Sequence, residues 1–174
     1  MPARLLHTTL LVIAITLLSS FSTVTAQFLT LEIEVEPEVG AAVERTLDFG
    51  QIFPMSGIVE FNLGDPGMGV FSIRAIRTQR LLVSIDTPDF LTHQDVEATI
   101  PIALSLAATD FGVDDYRLAE PLLASPVEIE LSPPPDRPQS EWSAAFFYVY
   151  GWIDVGNVPD GVYTGEVVLN VEYE

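Results

Sequence analysis

Cysteine is absent from this chain of 174 residues, and so is lysine, because all seven basic residues are arginine. Without cysteine the protein has no disulfides, thiolate nucleophiles, thiolate metal sites or lipid anchor on a cysteine. The sequence contains only two histidines, His7 and His93, which excludes the usual zinc sites built from several His or Cys ligands. Stability must therefore come from burial and strand pairing, or from assembly with further copies of the chain.

A long hydrophobic run is also missing. The apolar stretch Leu10–Leu18 is about half of the roughly 20 residues that a membrane-spanning helix needs. It follows a short positive start at Arg4 and precedes a run of small and polar residues that ends at Ala26. This pattern predicts an export signal over residues 1–26, cleaved after Ala26, as opposed to an uncleaved anchor. We expect the mature chain, residues 27–174, to form one domain with no membrane span.

Basic residues are few against the acidic ones. The chain has 25 Asp and Glu against 7 Arg, and removal of residues 1–26 leaves 6 Arg and a formal charge of −19. Such a surface repels nucleic acid and anionic membranes, so neither is expected as a partner. The acidity has two interpretations, a solvated face that aids solubility and an adaptation to high salt, and we favour some adaptation to salt.

Apolar and polar residues alternate along most of the mature chain, which is the pattern of half-buried strands. The predicted strands cover residues 29–36, 46–53, 58–63, 70–78, 81–86, 98–107, 127–131, 144–155 and 162–173. Clusters of Pro, Gly, Asn and Asp between them predict turns. No window has the spacing and caps of a helix. Many short strands with regular turns predict an all-β fold, a sandwich or barrel of antiparallel strands.

Catalytic motifs are not evident. No Gly-x-Ser-x-Gly turn accompanies His93, so we interpret this histidine as a surface residue of a loop. Asp110, Asp114 and Asp115 are interpreted as an acidic turn, with a calcium loop as the alternative. A hydrolase with paired carboxylates stays a third hypothesis for which the sequence selects no pair. We expect no enzyme and no cofactor.

Two stretches of the chain are similar to known secreted domains. The first is Leu47-Asp48-Phe49-Gly50 with Ile52 and Gly57, and the second is Tyr148–Val155 with Pro159–Gly165. They resemble the opening and the closing hairpin of bacterial spore-coat-U/Csu-type pilins and a related family of uncharacterised exported β domains. The final strand also resembles that of subunits exported by the chaperone–usher route. It has a penultimate aromatic residue, alternating apolar residues and a preceding glycine: Tyr173, Val171, Leu169, Val167 and Gly161.

The resemblance implies an immunoglobulin-like sandwich that lacks one strand, which the N-terminal extension of a neighbouring copy supplies. Residues 27–36 have the pattern for such a donor strand, with Leu29, Leu31, Ile33 and Val35 on one face. Burying these four side chains contributes at most about 6–12 kcal/mol. The same residues also suit the first strand of their own domain, and both alternatives stay open. Many such pilins carry a disulfide that this chain lacks.

The leading hypothesis is therefore a pilin-like structural or adhesive subunit of a fimbrium, secreted to a bacterial cell surface through the periplasm. Its expected partners are copies of itself and a periplasmic chaperone. The alternative is a monomeric secreted module that binds carbohydrate or envelope components. In that case Phe146, Tyr148, Tyr150 and Trp152, which share one face of a strand, are the candidate platform. Because the opposite face is apolar as well, we interpret this segment as a central core strand.

Overall fold

A computed structural model of the protein describes residues 40–173, apart from the side chain of Tyr173. The predicted export segment, residues 1–26, lies outside the described residues. So does the predicted first strand with Leu29, Leu31, Ile33 and Val35. The described residues belong to one compact unit, Glu36–Glu174. None of them forms a helix long and apolar enough to cross a membrane.

The described chain is all-β, and its strands pair in antiparallel fashion throughout. The strands are β1 (Gly40–Arg45), β2 (Gly57–Phe61), β3 (Gly69–Ile76), β4 (Arg80–Asp86), β5 (Phe90–His93), β6 (Thr99–Thr109), β7 (Glu120–Pro121), β8 (Val127–Glu130), β9 (Trp142–Val155), β10 (Tyr163–Thr164) and β11 (Val168–Tyr173). A single 3-10 turn, Tyr116–Leu118, precedes β7. The fold class predicted from the alternation is confirmed at this level.

Strand β9 is the centre of an eight-stranded sheet. Its first half pairs with β3 and its second half pairs with β2, while β6 runs along its other side. β1 extends the sheet beyond β3, and β5 and β10 extend it beyond β6. Both faces of β9 are apolar because both are covered. Phe147 and Val149 face the inner side, and Tyr148 packs with Met68 and Val70 on the outer side.

A three-stranded sheet in the order β11-β4-β8 packs against part of the inner face of the large sheet. Leu81 and Val83 of the central strand β4 are fully buried against Ile73 and Phe147 of the large sheet. Two antiparallel sheets joined by an apolar core are consistent with a β-sandwich. The small sheet is narrower than the large one, so loops have to cover the rest of the inner face.

The predicted strand 46–53 is wrong, because β1 lies immediately before it and the chain leaves the sheet at Thr46. The side chain of Asp48 accepts a hydrogen bond from the amide of Gly50 at 2.7 Å, and Gly50 turns the chain with a φ of 72°. Phe49 and Ile52 still pack onto the inner face of the large sheet. The alternation here reflects burial without strand pairing.

The predicted strand 162–173 is in fact two strands in different sheets. β10 pairs with β5 in the large sheet, and β11 pairs with β4 in the small sheet. Tyr163, Val167 and Leu169 all point to the interior, so the alternation continues through the crossing between the sheets. Two further strands were not among the predicted ones. These are β1, whose residues are all exposed, and the short strand β5.

Candidate functional site

An apolar groove of about 980 Å³ opens on the part of the inner face that the small sheet leaves uncovered. Its floor consists of side chains from five strands of the large sheet. These are Val43 of β1, Phe71 of β3, Val149, Ile153 and Val155 of β9, Ile100, Ile102 and Leu104 of β6, and Leu91 of β5. Because Phe71 also packs against the main core, the groove is continuous with that core.

Two irregular segments form the walls of the groove. Residues 46–54 form one wall, and residues 158–167, which contain β10, form the other. The first wall is held by Phe49, whose ring stacks on Phe61 with centroids 5.0 Å apart and planes 8° apart. The amide of Asp48 also donates to the carbonyl of Gly67 at 3.0 Å. The apolar residues of this wall thus cover one side of the groove without belonging to a sheet.

The charged residues that line the groove are all acidic. Asp48, Asp160 and Glu166 lie among its lining residues, and no Arg or His does. All three carboxylates belong to exposed residues, so they lie at the rim and the floor is apolar. Such a site suits apolar side chains, with desolvation of the floor as the favourable contribution.

Strand β11 presents an open edge on the groove side of the small sheet. It pairs with β4, and no described strand pairs with its other edge. Its inward residues Leu169 and Val171 are only half-buried, whereas Leu81 and Val83 of β4 are 0% exposed. An edge strand offers unpaired N–H and C=O groups to an added strand. Within the described part of the chain, the groove therefore combines an apolar floor with a strand edge that has no partner strand.

The residues that the sequence assigned to assembly through the C-terminal strand lie in this region. Val167, Leu169 and Val171 share one face and pack against the main core, as the alternation predicts. Gly161 and Val167 also line the groove. The backbone of Tyr173 pairs with Leu81 at the end of β11. The other predicted assembly residues, Leu29, Leu31, Ile33 and Val35, lie outside the described residues.

The interpretation of His93 as a surface residue is wrong, because the side chain is 7% exposed and ends strand β5. Its Nδ1 accepts hydrogen bonds from the amides of Asp95 and Val96 at 2.9 Å and 3.1 Å. With Nδ1 occupied as an acceptor, Nε2 carries the hydrogen and donates to the carbonyl oxygen of Asp160 at 3.1 Å. His93 therefore joins the loop after β5 to a wall of the groove.

The acidic turn after β6 is held by partners within the protein. Asp110 accepts from the hydroxyl of Ser132 at 2.7 Å, and Asp114 accepts from the hydroxyl of Tyr148 at 2.9 Å. Asp115 pairs with Arg117, whose hydrogen bonds lower the pKa of that carboxyl, while Asp115 raises the pKa of the guanidinium. No group of three potential metal ligands occurs among the described residues. The three aspartates point to different partners and do not converge.

The aromatic face of β9 is mostly covered. Tyr148 is 0% exposed, Phe146 and Tyr150 are half-buried, and Trp152 is 38% exposed. Burial raises the pKa of Tyr148 far above its ordinary value, and the hydrogen bond to the Asp114 carboxylate adds to the shift. The central position of β9 confirms the interpretation as a core strand, and Trp152 is the most exposed of the four aromatic residues.

Sequence reasoning missed the floor of the groove and the role of His93. The floor residues Ile100, Ile102 and Leu104 belong to a predicted strand, but nothing local shows that they line a groove beside the small sheet. The contact between His93 and Asp160 spans 67 positions along the chain. A single sequence carries no pattern for such a contact, since neither residue is part of a local motif.

No protein-family model matches the chain, and none of the curated proteins matches it. Residues 40–173 form an all-β fold with an apolar groove beside a strand edge that no other strand of this range pairs with.

Proposed function

We propose that this protein is a secreted, pilin-like structural or adhesive subunit that assembles with copies of itself at a bacterial surface. The observation that carries the proposal is the apolar groove beside the edge of β11 that pairs with no described strand. Strand addition satisfies such an edge by main-chain hydrogen bonds and fills the groove with alternate side chains. The fold then becomes a complete immunoglobulin-like sandwich only when a further strand joins the small sheet.

The proposed occupant is the segment 29–35 of a neighbouring copy. Its apolar residues Leu29, Leu31, Ile33 and Val35 occupy alternate positions, so they all face the groove when the segment is extended. Seven extended residues span about 23 Å. In this arrangement Leu169 and Val171, half-buried in the single subunit, gain a neighbour that removes them from water.

The carboxylates of the segment and of the groove rim predict how assembly depends on the salt concentration. Glu32, Glu34 and Glu36 lie on the opposite face of the segment, and the rim of the groove carries Asp48, Asp160 and Glu166. These carboxylates repel one another in low salt and are screened in high salt. Assembly should therefore strengthen as the salt concentration rises, which fits an extracellular setting of high ionic strength. We also propose that a periplasmic chaperone fills the groove before assembly.

The proposal is tested with four variants of the full chain, each adding one carboxylate. Leu31→Asp alters the apolar face of the segment, and Thr30→Asp is its control on the opposite face. Leu104→Asp alters the groove floor, and Ser105→Asp, at an exposed neighbouring position on the other side of β6, is its control. Size-exclusion chromatography with light scattering and negative-stain microscopy report the assembly state, and circular dichroism reports the fold.

We expect the wild type and both control variants to form ladders or filaments, and both test variants to stay monomeric. A mixture of the two test variants should then form a dimer that grows no further. In this dimer Leu104→Asp supplies an intact segment to the intact groove of Leu31→Asp. If the segment instead pairs within its own chain, both test variants lose stability and mixing them changes nothing, which would refute assembly by exchange between copies.

A monomeric wild type at high concentration and high salt would favour the alternative, a secreted module that binds carbohydrate or envelope components. The volume of the groove, about 980 Å³, lies at the upper end of the range of small-molecule sites. In that case binding should be lost in Leu104→Asp and retained in Ser105→Asp. Trp152 would be the residue to replace first for a ligand on the outer face.

A further inference from the structure

The wall of the groove formed by residues 158–167 pairs with the large sheet through the short strand β10, and its residues Val158 and Tyr163 pack against the core of that sheet. β10 contributes two residues to this attachment, Tyr163 paired with His93 and Thr164 paired with Thr92. The amide of Gln94 donates to the carbonyl of Val162 at 3.0 Å. With so short a strand, side-chain contacts have to contribute much of the attachment.

His93 supplies the central side-chain contacts of this attachment. Its ring lies against Gly161, where an added Cβ would collide with Nε2, so no other residue fits without displacing the ring. The φ of Gly161, 153°, also disfavours a side chain there. Tyr163 meets the imidazole edge to face, with ring centroids 4.9 Å apart. The wall is therefore packed directly onto the histidine.

The hydrogen bonds of His93 require the neutral ring. Nδ1 faces two amide donors, from Asp95 and Val96, and a proton on Nδ1 would point at both of them. Histidine is the side chain that ordinarily changes charge between pH 5 and 8. The protonated ring can keep its bond from Nε2 to the carbonyl of Asp160 but must leave the two amides without an acceptor.

Other charged groups around the ring do not offer an alternative partner for the proton. Asp95 and Glu97 on the same loop and Asp160 on the facing wall are exposed carboxylates, and among the described residues none of them makes a side-chain hydrogen bond with the ring. β6 contributes no ionisable group next to His93. Tyr163 faces it with the edge of its ring, and the Tyr163 hydroxyl donates to the carbonyl of Pro159. Solvent screens the exposed carboxylates, whereas the two amides are in direct contact with Nδ1.

We propose that His93 is an acid-sensitive latch that holds the 158–167 wall of the groove closed when its ring is neutral and releases it when Nδ1 is protonated. The release of the wall does not depend on the proposed function. Only its effect on assembly rests on that function, because release removes contacts from any strand bound in the groove. Release takes up one proton, so the equilibrium constant for opening rises by at most tenfold for each unit that the pH falls.

The first test is hydrogen exchange of the full chain between pH 7.5 and pH 5, expressed as protection relative to the intrinsic rate at each pH. Protection of the amides of Gln94, Asp95 and Val96 should fall by about tenfold or more over this range. The amides of β4 in the small sheet should keep their protection, which distinguishes local release from unfolding. The ¹⁵N shifts of the imidazole report independently, in each sample, whether Nδ1 carries a proton.

The second test uses His93→Asn, because the amide oxygen of asparagine can accept in place of Nδ1 and does not titrate. Its protection should not depend on pH, while the control Glu97→Gln, which removes an exposed carboxylate from the same loop, should behave like the wild type. The latch is refuted if Nδ1 is protonated while the three amides stay protected. It is also refuted if His93→Asn keeps the pH dependence of the wild type.

Assembly is measured on the same samples. If the proposed function holds, assembly of the wild type should decrease from pH 7.5 to pH 5 and assembly of His93→Asn should not. If no sample assembles at any pH, the proposed function fails and the exchange data alone decide about the latch. If the wild type assembles to the same extent at both pH values while exchange shows no release, the latch fails and the assembly proposal stands.

Discussion

Tyr148 lies on the outer face of the large sheet, where its hydroxyl donates to Asp114 and holds the loop between β6 and β7. Neighbouring hydroxyls act in the same way, since Ser132 donates to Asp110 and Ser143 donates to the carbonyl of Ser132 at 2.6 Å. Each of these bonds joins a loop to a strand or to another loop. The polar groups near β9 thus hold connections in place, and His93 does the same for the wall of the groove.

The raised pKa of Tyr148 predicts how stability depends on alkaline pH. A tyrosine in an unfolded chain ionises near pH 10, whereas Tyr148 in the folded protein keeps its proton to a higher pH because it is buried and bonded to a carboxylate. Its contribution to stability is therefore complete below about pH 10 and is lost as the pH rises from there toward the folded-state pKa. With no lysine or cysteine in the chain, few other groups titrate in this range.

Tyr148→Phe should reduce the loss of unfolding free energy between about pH 10 and pH 12, measured by denaturant titrations at several pH values. At pH 7 it should cost about 1–2 kcal/mol, the value of a hydrogen bond whose exposed carboxylate partner can be hydrated instead. Tyr150→Phe is the control, because Tyr150 is half-buried on the same face of β9. Equal alkaline slopes in the two variants would contradict the assignment to Tyr148.

At the scale of elements, β9 organises the large sheet because its length of fourteen residues gives it two successive partners on one side. The change of partner occurs around Gly151, which pairs with Phe61 of β2 and Leu104 of β6. Its φ is 149°, and an added Cβ would collide with the carbonyl of Ala103. A backbone neighbour cannot rotate away as a side chain can.

Gly151→Ala should therefore destabilise the protein by about 2–5 kcal/mol, combining backbone strain with displacement of β6. Gly156→Ala is the matched control, since a Cβ there has open space and no positive φ to adopt. Chemical denaturation of both variants against the wild type measures the difference. If Gly151→Ala cost no more than the control, the junction of β2, β6 and β9 would be more adaptable than its geometry indicates.

At the scale of the whole molecule, the excess of acid is the dominant electrostatic feature, with a formal charge of −18. The four ion pairs found among the described residues, such as Arg80 with Glu128 and Arg117 with Asp115, are exposed and contribute little. Most carboxylates therefore repel one another without compensation. Such self-repulsion opposes the folded state and is weakened by salt.

We expect the unfolding temperature at pH 7 to rise by about 3–8 °C between 0.05 M and 1 M NaCl, which corresponds to a gain of about 1–2 kcal/mol. Differential scanning calorimetry measures the change. Near pH 4, where many carboxylates are protonated, the salt effect should be much smaller. An equal rise at both pH values would indicate a general salt effect on burial and not screening of the acidic surface.

The pattern of residues predicts the all-β class, because a period of two can bury one side of a strand only in an extended chain. It also predicts the central position of 144–155, whose two apolar faces need cover on both sides, and the common inward face of Val167, Leu169 and Val171. Proline and glycine clusters predict most of the turns correctly. For these features the information is local, so one sequence is sufficient.

Only the tertiary structure decided which extended segments pair and what lies between them. Residues 46–53 and 162–173 alternate as strands do, yet the first is unpaired and the second is divided between two sheets. Alternation indicates which side chains face the interior. Strand pairing depends instead on which other segment lies alongside, and that segment is often distant in the sequence. For the same reason, the burial of His93 against Gly161 and the groove floor at Leu104 appear only when segments far apart in the chain come together.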